Sequence, residues 1–295
     1  MRTSTPIHVA LRGRPFSTAH AELAGWSATR LHGPDIAHPF HGVHQEAGTP
    51  VDRIAAYRMR LRPEQFFSHE TAAELWGIPL PHSPSAVHVA VYDPRTPPRA
   101  RGAIGHRVSS HVRALVLSGG EPVCSPADVW CQLSATLSAD DLVAAGDHLL
   151  GARRRETLAE LGELSAASAR HGSNRGARNR SWALERLRWG SDSRPESLLR
   201  LFCERLGMQD LRVNEPLDIA GVRLHPDLLA PAFGLILEYE GDHHRTERAQ
   251  WNSDIERYDA FVDAGYRVLR VTARDLFLEP EALARKVRKA SFHAR

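Results

Sequence analysis

Residues 237–244 read Leu237-Glu238-Tyr239-Glu240-Gly241-Asp242-His243-His244, and they close an apolar run that begins at Gly234. A short apolar run bounded by glycines is a β-strand. Side chains on a strand alternate faces, so Glu238 and Glu240 share one face and Leu237 and Tyr239 the other. Two carboxylates at the end of an apolar strand are costly unless ionic partners compensate them. Their repulsion raises the pKa of one unless a cation binds. Asp227, after His225-Pro226, lies 11 residues before Glu238. A return through Ala230–Gly234 brings Asp227 beside Glu238. The result is a hard, oxygen-only site suited to Mg2+ or Mn2+. The bland alternative for Asp227 is a turn residue after proline.

The flanking sequence frames this strand. Pro195 opens a helix over Glu196–Leu206 that Gly207 stops. Strand-like pieces follow at Val213–Ile219 and Val222–Leu228. Beyond the acidic strand, a helix over Thr246–Ala264 carries Trp251, Ile255, Tyr258, Phe261 and Val262 at helical spacing. Tyr266–Val271 is a further strand and Glu281–Ala290 a last helix. The order α-β-β-β-α-β-α predicts an α/β domain over 195–295, a mixed sheet flanked by helices.

Three other regions differ in texture. Over 1–50, Ser17 or Thr18 caps a helix Ala19–Ala24 and Ser27 caps Ala28–Leu31. With a strand over Pro39–His44 this gives a winged helix-turn-helix, in which Arg30 faces DNA; two packing helices are the alternative. Residues 51–165 form an α+β region, with a helix over Thr71–Trp76, a strand over Val87–Tyr92, and helices from Pro126 to Leu133 and from Ala139 to Leu150. His69, His88, His106 and His111 lack metal-ligand spacing and read as satisfied or surface histidines. The stretch 166–194, rich in Ser, Gly and Arg, reads as a linker. Its Arg175, Arg178, Arg180, Arg186 and Arg188 form a phosphate-contacting patch or a solvated helix face.

The chain of 295 residues has net charge +3, and that surplus is unevenly placed. Residues 1–150 carry 13 basic and 13 acidic side chains, residues 151–195 carry 10 and 5, and residues 196–295 carry 15 and 17. Hydrophobic content of 42% excludes disorder over the whole chain. No apolar run is long enough for a membrane span, and the N-terminus lacks a signal-peptide core. Cys124, Cys131 and Cys203 fit neither a zinc ribbon nor a disulfide framework, so the expected compartment is the cytoplasm.

Residues from about 195 to 290 resemble the restriction-endonuclease-like fold with a PD-(D/E)xK-type active site, in the branch related to very-short-patch-repair endonucleases. The matching residues are Glu196, Pro226-Asp227, Glu238-Tyr239-Glu240-Gly241, His244, Asp254, Arg257 and Tyr266-Arg267-Val268-Leu269-Arg270-Val271. The front half, through 15–43 and Ser68-His69-Glu70-Thr71-Ala72-Ala73-Glu74-Leu75-Trp76-Gly77-Ile78-Pro79, is similar to the winged-helix region of abortive-infection type IV antitoxins. The first resemblance implies a metal-dependent DNA endonuclease. Asp227 and Glu238 would hold the metal, with Glu196 completing the shell. Glu240 would be a further ligand or orient water, His244 would act as base or acid, and Arg257 would supply positive charge. The chain departs from the general motif in having Glu240 where lysine usually stands. The second resemblance implies the alternative, a non-catalytic DNA-binding regulator or antitoxin, whose partner would be a cognate toxin or a second copy of the chain.

Overall fold

The computed structural model describes residues 7–153, 155–241 and 248–292; the side chains of Ala10, residues 248–255 and Phe292 lie outside that set. The chain is a mixed α/β protein of two compact units, Met1–Leu133 and Ser134–Arg295. The division falls at 133/134, not at the expected boundaries of 50, 165 and 194. No helix among the described residues is long and apolar enough to cross a membrane.

The first unit opens with β1 (Phe16–Ser17), α1 (Thr18–Leu23), α2 (Ala28–Leu31), β2 (Ile36–Phe40) and β3 (Val43–Glu46). Both expected caps are present: Ser17 Oγ accepts from His20 N–H at 3.2 Å and Ser27 Oγ from Arg30 N–H at 3.3 Å. The expected single strand over Pro39–His44 is instead the turn of an antiparallel hairpin in the sheet β1-β3-β2. The second helix is a single turn of four residues. Next come α3 (Arg53–Arg58), β4 (Phe66–Phe67), α4 (His69–Leu75), β5 (Val87–Tyr92), β6 (Ala103–Val108), β7 (Ala114–Val116), β8 (Pro122–Cys124) and α5 (Pro126–Leu133). Their strands form one sheet in the order β6-β5-β4-β8-β7.

The second unit begins with α6 (Ala139–Leu150), α7 (Leu161–His171), α8 (Ala177–Leu184) and α9 (Arg194–Arg205). The segment read as a linker is therefore largely helical and packed. Arg180 is 1% exposed, with its guanidinium donating to Ser168 Oγ at 3.2 Å, Ser134 Oγ at 3.0 Å and the Gly172 carbonyl at 2.6 Å. Gly176 is required there. Its φ is +89°, and a Cβ would meet the Ser134 carbonyl at 2.4 Å. A buried ion pair fixes α9: Arg200 Nη2 meets Asp147 Oδ2 of α6 at 2.9 Å. Ser197 Oγ and the Arg188 N–H also donate to Asp147, each at 2.7 Å.

After α9 come β9 (Arg212–Val213), a separate hairpin of β10 (Leu217–Ile219) and β11 (Val222–Leu224), then β12 (Leu228–Ala230), β13 (Leu235–Glu240), α10 (Arg248–Asp263), β14 (Arg267–Thr272) and α11 (Pro280–Phe292). The main sheet has the order β14-β13-β12-β9, parallel between β13 and β14 and antiparallel elsewhere. The alternation along β13 and β12 sorts their side chains. Leu237 and Leu228 join Leu199, Cys203, Leu283 and Val287 of α9 and α11 in the main core. Ile236 and Leu229 pack with Phe261 of α10 on the opposite face. Val262, expected on the packed face of α10, is 58% exposed; the expectation for Trp251 and Ile255 falls outside the described side chains.

Candidate active site

β12 and β13 pair with Leu228 opposite Leu237, which sets Asp227 and Glu238 side by side just past the last paired residues. Both point to the face of Leu229 and Ile236. The Asp227 N–H lies 3.4 Å from Glu238 Oε1, and Asp227 Oδ2 accepts from the Tyr239 N–H at 2.7 Å. Glu238 is 2% exposed, and Oε2 is ion-paired with Arg257 of α10. Glu196 arrives in the first turn of α9. Its carboxylate accepts from Ser193 Oγ at 2.7 Å, the Asp192 N–H at 2.9 Å and Asn214 Nδ2 at 3.3 Å. Asn214, at φ +48°, links the helix to the strand, because its own N–H donates to the Asp227 carbonyl at 3.2 Å. His225 Nδ1 is 3.0 Å from the Asn214 carbonyl.

Electrostatics mark this corner. Burial first, then the Asp227 charge, push the Glu196 carboxyl up to about 7. Burial first, then the Glu238 charge, push Asp227 up to about 7, against the lowering effect of the Tyr239 N–H and Arg257. These are acids that repel one another in a poorly solvated place.

The expected residues fare unequally. Asp227, Glu238 and Glu196 come together. Glu240 shares the Glu238 face, yet its carboxylate engages Arg270 of β14 and accepts from Tyr258 Oη at 3.3 Å. Arg270 also lies 4.8 Å over the Tyr258 ring. His244 lies outside the described residues, as does the side chain of Asp254. Among the arginines assigned to DNA, Arg175, Arg178 and Arg188 are exposed and Arg186 is half-buried, its guanidinium 4.3 Å over Trp182. Two of the assignments need correction. Arg180 is committed to the interior described above. Arg30 is held by both Asp35 oxygens at 2.8 and 2.6 Å and stacks 4.5 Å over Trp26, because a short loop returns Asp35 to the end of its own helix. Sequence reading missed Asn214; its one local signal is the turn-forming run Asn214-Glu215-Pro216.

A second cluster gathers three of the first unit's histidines, two of them hydrogen-bonded to each other as the reading of satisfied histidines expects. Among the described residues, the trio of His, Cys, Asp or Glu whose donor atoms all lie within 4.8 Å of one another is His69, His88 and His106. The acids of the other unit are not drawn in so tightly. His88 Nδ1 is 3.0 Å from His106 Nε2, and the His69 and His106 rings stack at 3.7 Å. Burial lowers the His106 ring to about 4, with His88 adding to the effect, and burial lowers His88 as well.

Comparison of the chain with protein-family models and with curated proteins returns no match.

Proposed function

We propose that the second unit is a divalent-metal-dependent endonuclease hydrolysing DNA phosphodiester bonds. The observation that carries this reading is the convergence of Glu196, Asp227 and Glu238 from α9, β12 and β13, with Glu196 and Asp227 each pushed to about 7. Acids in such a place are stabilised by a cation, and an all-oxygen donor set suits Mg2+ or Mn2+. The residues present fit that ion. Asp227 and Glu238 would hold it, with Glu196 beside them. When bound, the ion would acidify water and neutralise charge on the phosphoryl group.

The chain's own residues have distinct tasks. The Tyr239 N–H holds Asp227 Oδ2. Asn214 and Ser193 fix the Glu196 carboxylate. Arg257 neutralises Glu238, and its guanidinium would be available to a phosphate if an ion took over that carboxylate. Exposed Arg175, Arg178 and Arg188 are available to phosphates along the strand. The resemblance to very-short-patch-repair endonucleases supports DNA as substrate.

A plasmid-nicking assay with Mg2+ or Mn2+ tests the proposal, comparing wild type with Asp227→Asn and Glu238→Gln. Equal nicking by all three proteins rejects it.

One observation favours a second reading. Arg257 and Arg270 pair with Glu238 and Glu240, which gives both strand acids a partner without a metal. In that reading the chain is a non-catalytic DNA-binding regulator of antitoxin type. Specific DNA binding without cleavage under any metal would select it.

A further inference from the structure

The structure brings three histidines of distant sequence position to one place in the first unit. His69 is the first residue of α4, separated from β4 only by Ser68. His88 lies on β5 and His106 on β6, and the parallel register pairs Ala90 with His106. His88 and Ala90 share a face by alternation, so His88 and His106 project from the same side of the sheet. All three residues are partly buried.

We propose that His69, His88 and His106 form a binding site for a divalent transition metal of the zinc class, with one coordination position left to water or a small ligand. Imidazole nitrogen is a preferred donor for such ions, and three histidines with an open fourth position is a recurrent zinc arrangement. A tetrahedral ion with Zn–N distances of about 2.0–2.1 Å sets its donors about 3.3–3.4 Å apart. His88 Nδ1 and His106 Nε2 are already 3.0 Å apart, and one donor atom from each ring falls inside 4.8 Å. The His69 ring is stacked 3.7 Å from His106 at an interplanar angle of 17°, so ligation requires it to rotate off that stack until the in-plane lone pairs converge.

Three surrounding features suit this assignment. Ser68 Oγ lies 3.1 Å from His69 Nδ1, so ligation through Nε2 keeps that contact. Ligation of His88 through Nδ1 turns its Nε2 toward Glu70 Oε2, 3.8 Å away. A carboxylate behind a ligating histidine fixes the tautomer and raises the basicity of the ring. Finally, His69 holds a left-handed backbone at φ +48°, a conformation that a non-glycine residue keeps only when its surroundings enforce it. The ion would join the start of α4 to β5 and β6.

The test is zinc titration of the tag-free full chain, read by equilibrium dialysis and by the side-chain 15N shifts of its 17 histidines. The expected result is one tightly held ion per chain, with nitrogen shifts confined to three rings. His106→Gln should abolish stoichiometric binding, and Glu70→Gln should weaken it about 10–100-fold. Asp227→Asn should leave it unchanged, because that residue belongs to the separate acid site. A cobalt-loaded wild type should show the intense visible bands of a tetrahedral nitrogen site. Absence of stoichiometric binding overturns the proposal. So do shifts on other histidines, or undiminished binding by folded His106→Gln. Where His106→Gln fails to fold, the wild-type shifts alone decide.

Discussion

The acid corner of the second unit and the histidine trio of the first are both clusters of titratable groups gathered from a helix and the strands beside it, but they are built on opposite electrostatic terms. Glu196, Asp227 and Glu238 are like-charged groups at close quarters, with Arg257 as the described counter-charge on Glu238. Two of them keep protons up to about 7. In the trio, burial lowers His88 and lowers His106 to about 4. The first arrangement is under electrostatic stress without a cation. The second is relaxed and offers lone pairs. Hard oxygens suit magnesium-like ions and imidazoles suit zinc-like ones, so the two clusters offer contrasting donor sets.

The largest expected effect tests the acid corner. Asp227→Asn keeps the shape and the Tyr239 contact but removes the charge, and should lower magnesium-dependent nicking by on the order of 10^3-fold, about 4 kcal/mol. Retention of the wild-type rate with Mg2+ would break the contrast between the two clusters. Zinc stoichiometry measured on the same preparation should stay the same.

Next in size is the support behind the corner. Arg200→Met leaves Asp147, which is fully buried, without its ion partner. Breaking such a pair costs about 3–5 kcal/mol, read as a fall in the denaturant midpoint. Because α9 carries Glu196, nicking should fall as well, whereas the histidine trio of the first unit should keep its zinc. A variant with wild-type stability would mean that α9 is held by its apolar face alone.

The pH dependence separates the clusters by sign. Asp227 and Glu196 are raised above their unfolded values, so the folded metal-free protein binds more protons than the unfolded chain between pH ~4 and pH ~7. Their contribution is present at low pH and is lost as pH rises through about 7. The unfolding free energy of wild type relative to Asp227→Asn should therefore decline by roughly a few kcal/mol from pH 5 to pH 8, read from denaturant midpoints. Mg2+ should restore it at pH 8. The lowered histidines run the other way: stability associated with His88 and His106 is lost as pH falls through their unfolded value toward about 4. A wild-type-minus-variant curve that is flat, or that rises with pH, would contradict the origin assigned to the acid shifts.

The two clusters were also unequally legible in the sequence. Asp227 and Glu238 stand on adjacent antiparallel strands 11 residues apart, so strand alternation and a short return were enough to pair them. Helix α9 was equally plain, because Ser193, Pro195 and Gly207 punctuate it. The trio was invisible for a topological reason. Its members are spread from 69 to 106, and their meeting depends on the parallel pairing of β5 with β6, which no local spacing encodes. The stretch 166–194 misled for another reason. Composition rich in Ser, Gly and Arg reads as solvated, yet Arg180 is satisfied inside by the Ser168 hydroxyl and Gly172 carbonyl of that same stretch and by Ser134 beyond it. The partners of Glu238 and Glu240 were half legible: Arg257 was given a charge-supplying role, whereas Arg270 was noted only as part of the last strand.

The smallest expected effect concerns those arginines, and it turns on burial. Arg175 and Arg178 are exposed on either side of the start of α8, where each can neutralise one phosphate at little structural cost. Arg175→Ala with Arg178→Ala should weaken DNA binding by several-fold at low salt and reduce the slope of log affinity against log salt by about 2. Stability should hardly change. Arg180→Ala, only two residues further on, should do the reverse. It removes a guanidinium that is 1% exposed and leaves the Gly172 carbonyl and two serine hydroxyls without their donor, so the chain should melt earlier. Its salt slope should match wild type wherever the protein remains folded. If Arg180→Ala instead flattened the salt dependence, the guanidinium would have to leave the interior to meet DNA. Binding would then be coupled to opening of α7 and α8, and this stretch would behave after all as the loose arm its composition suggests.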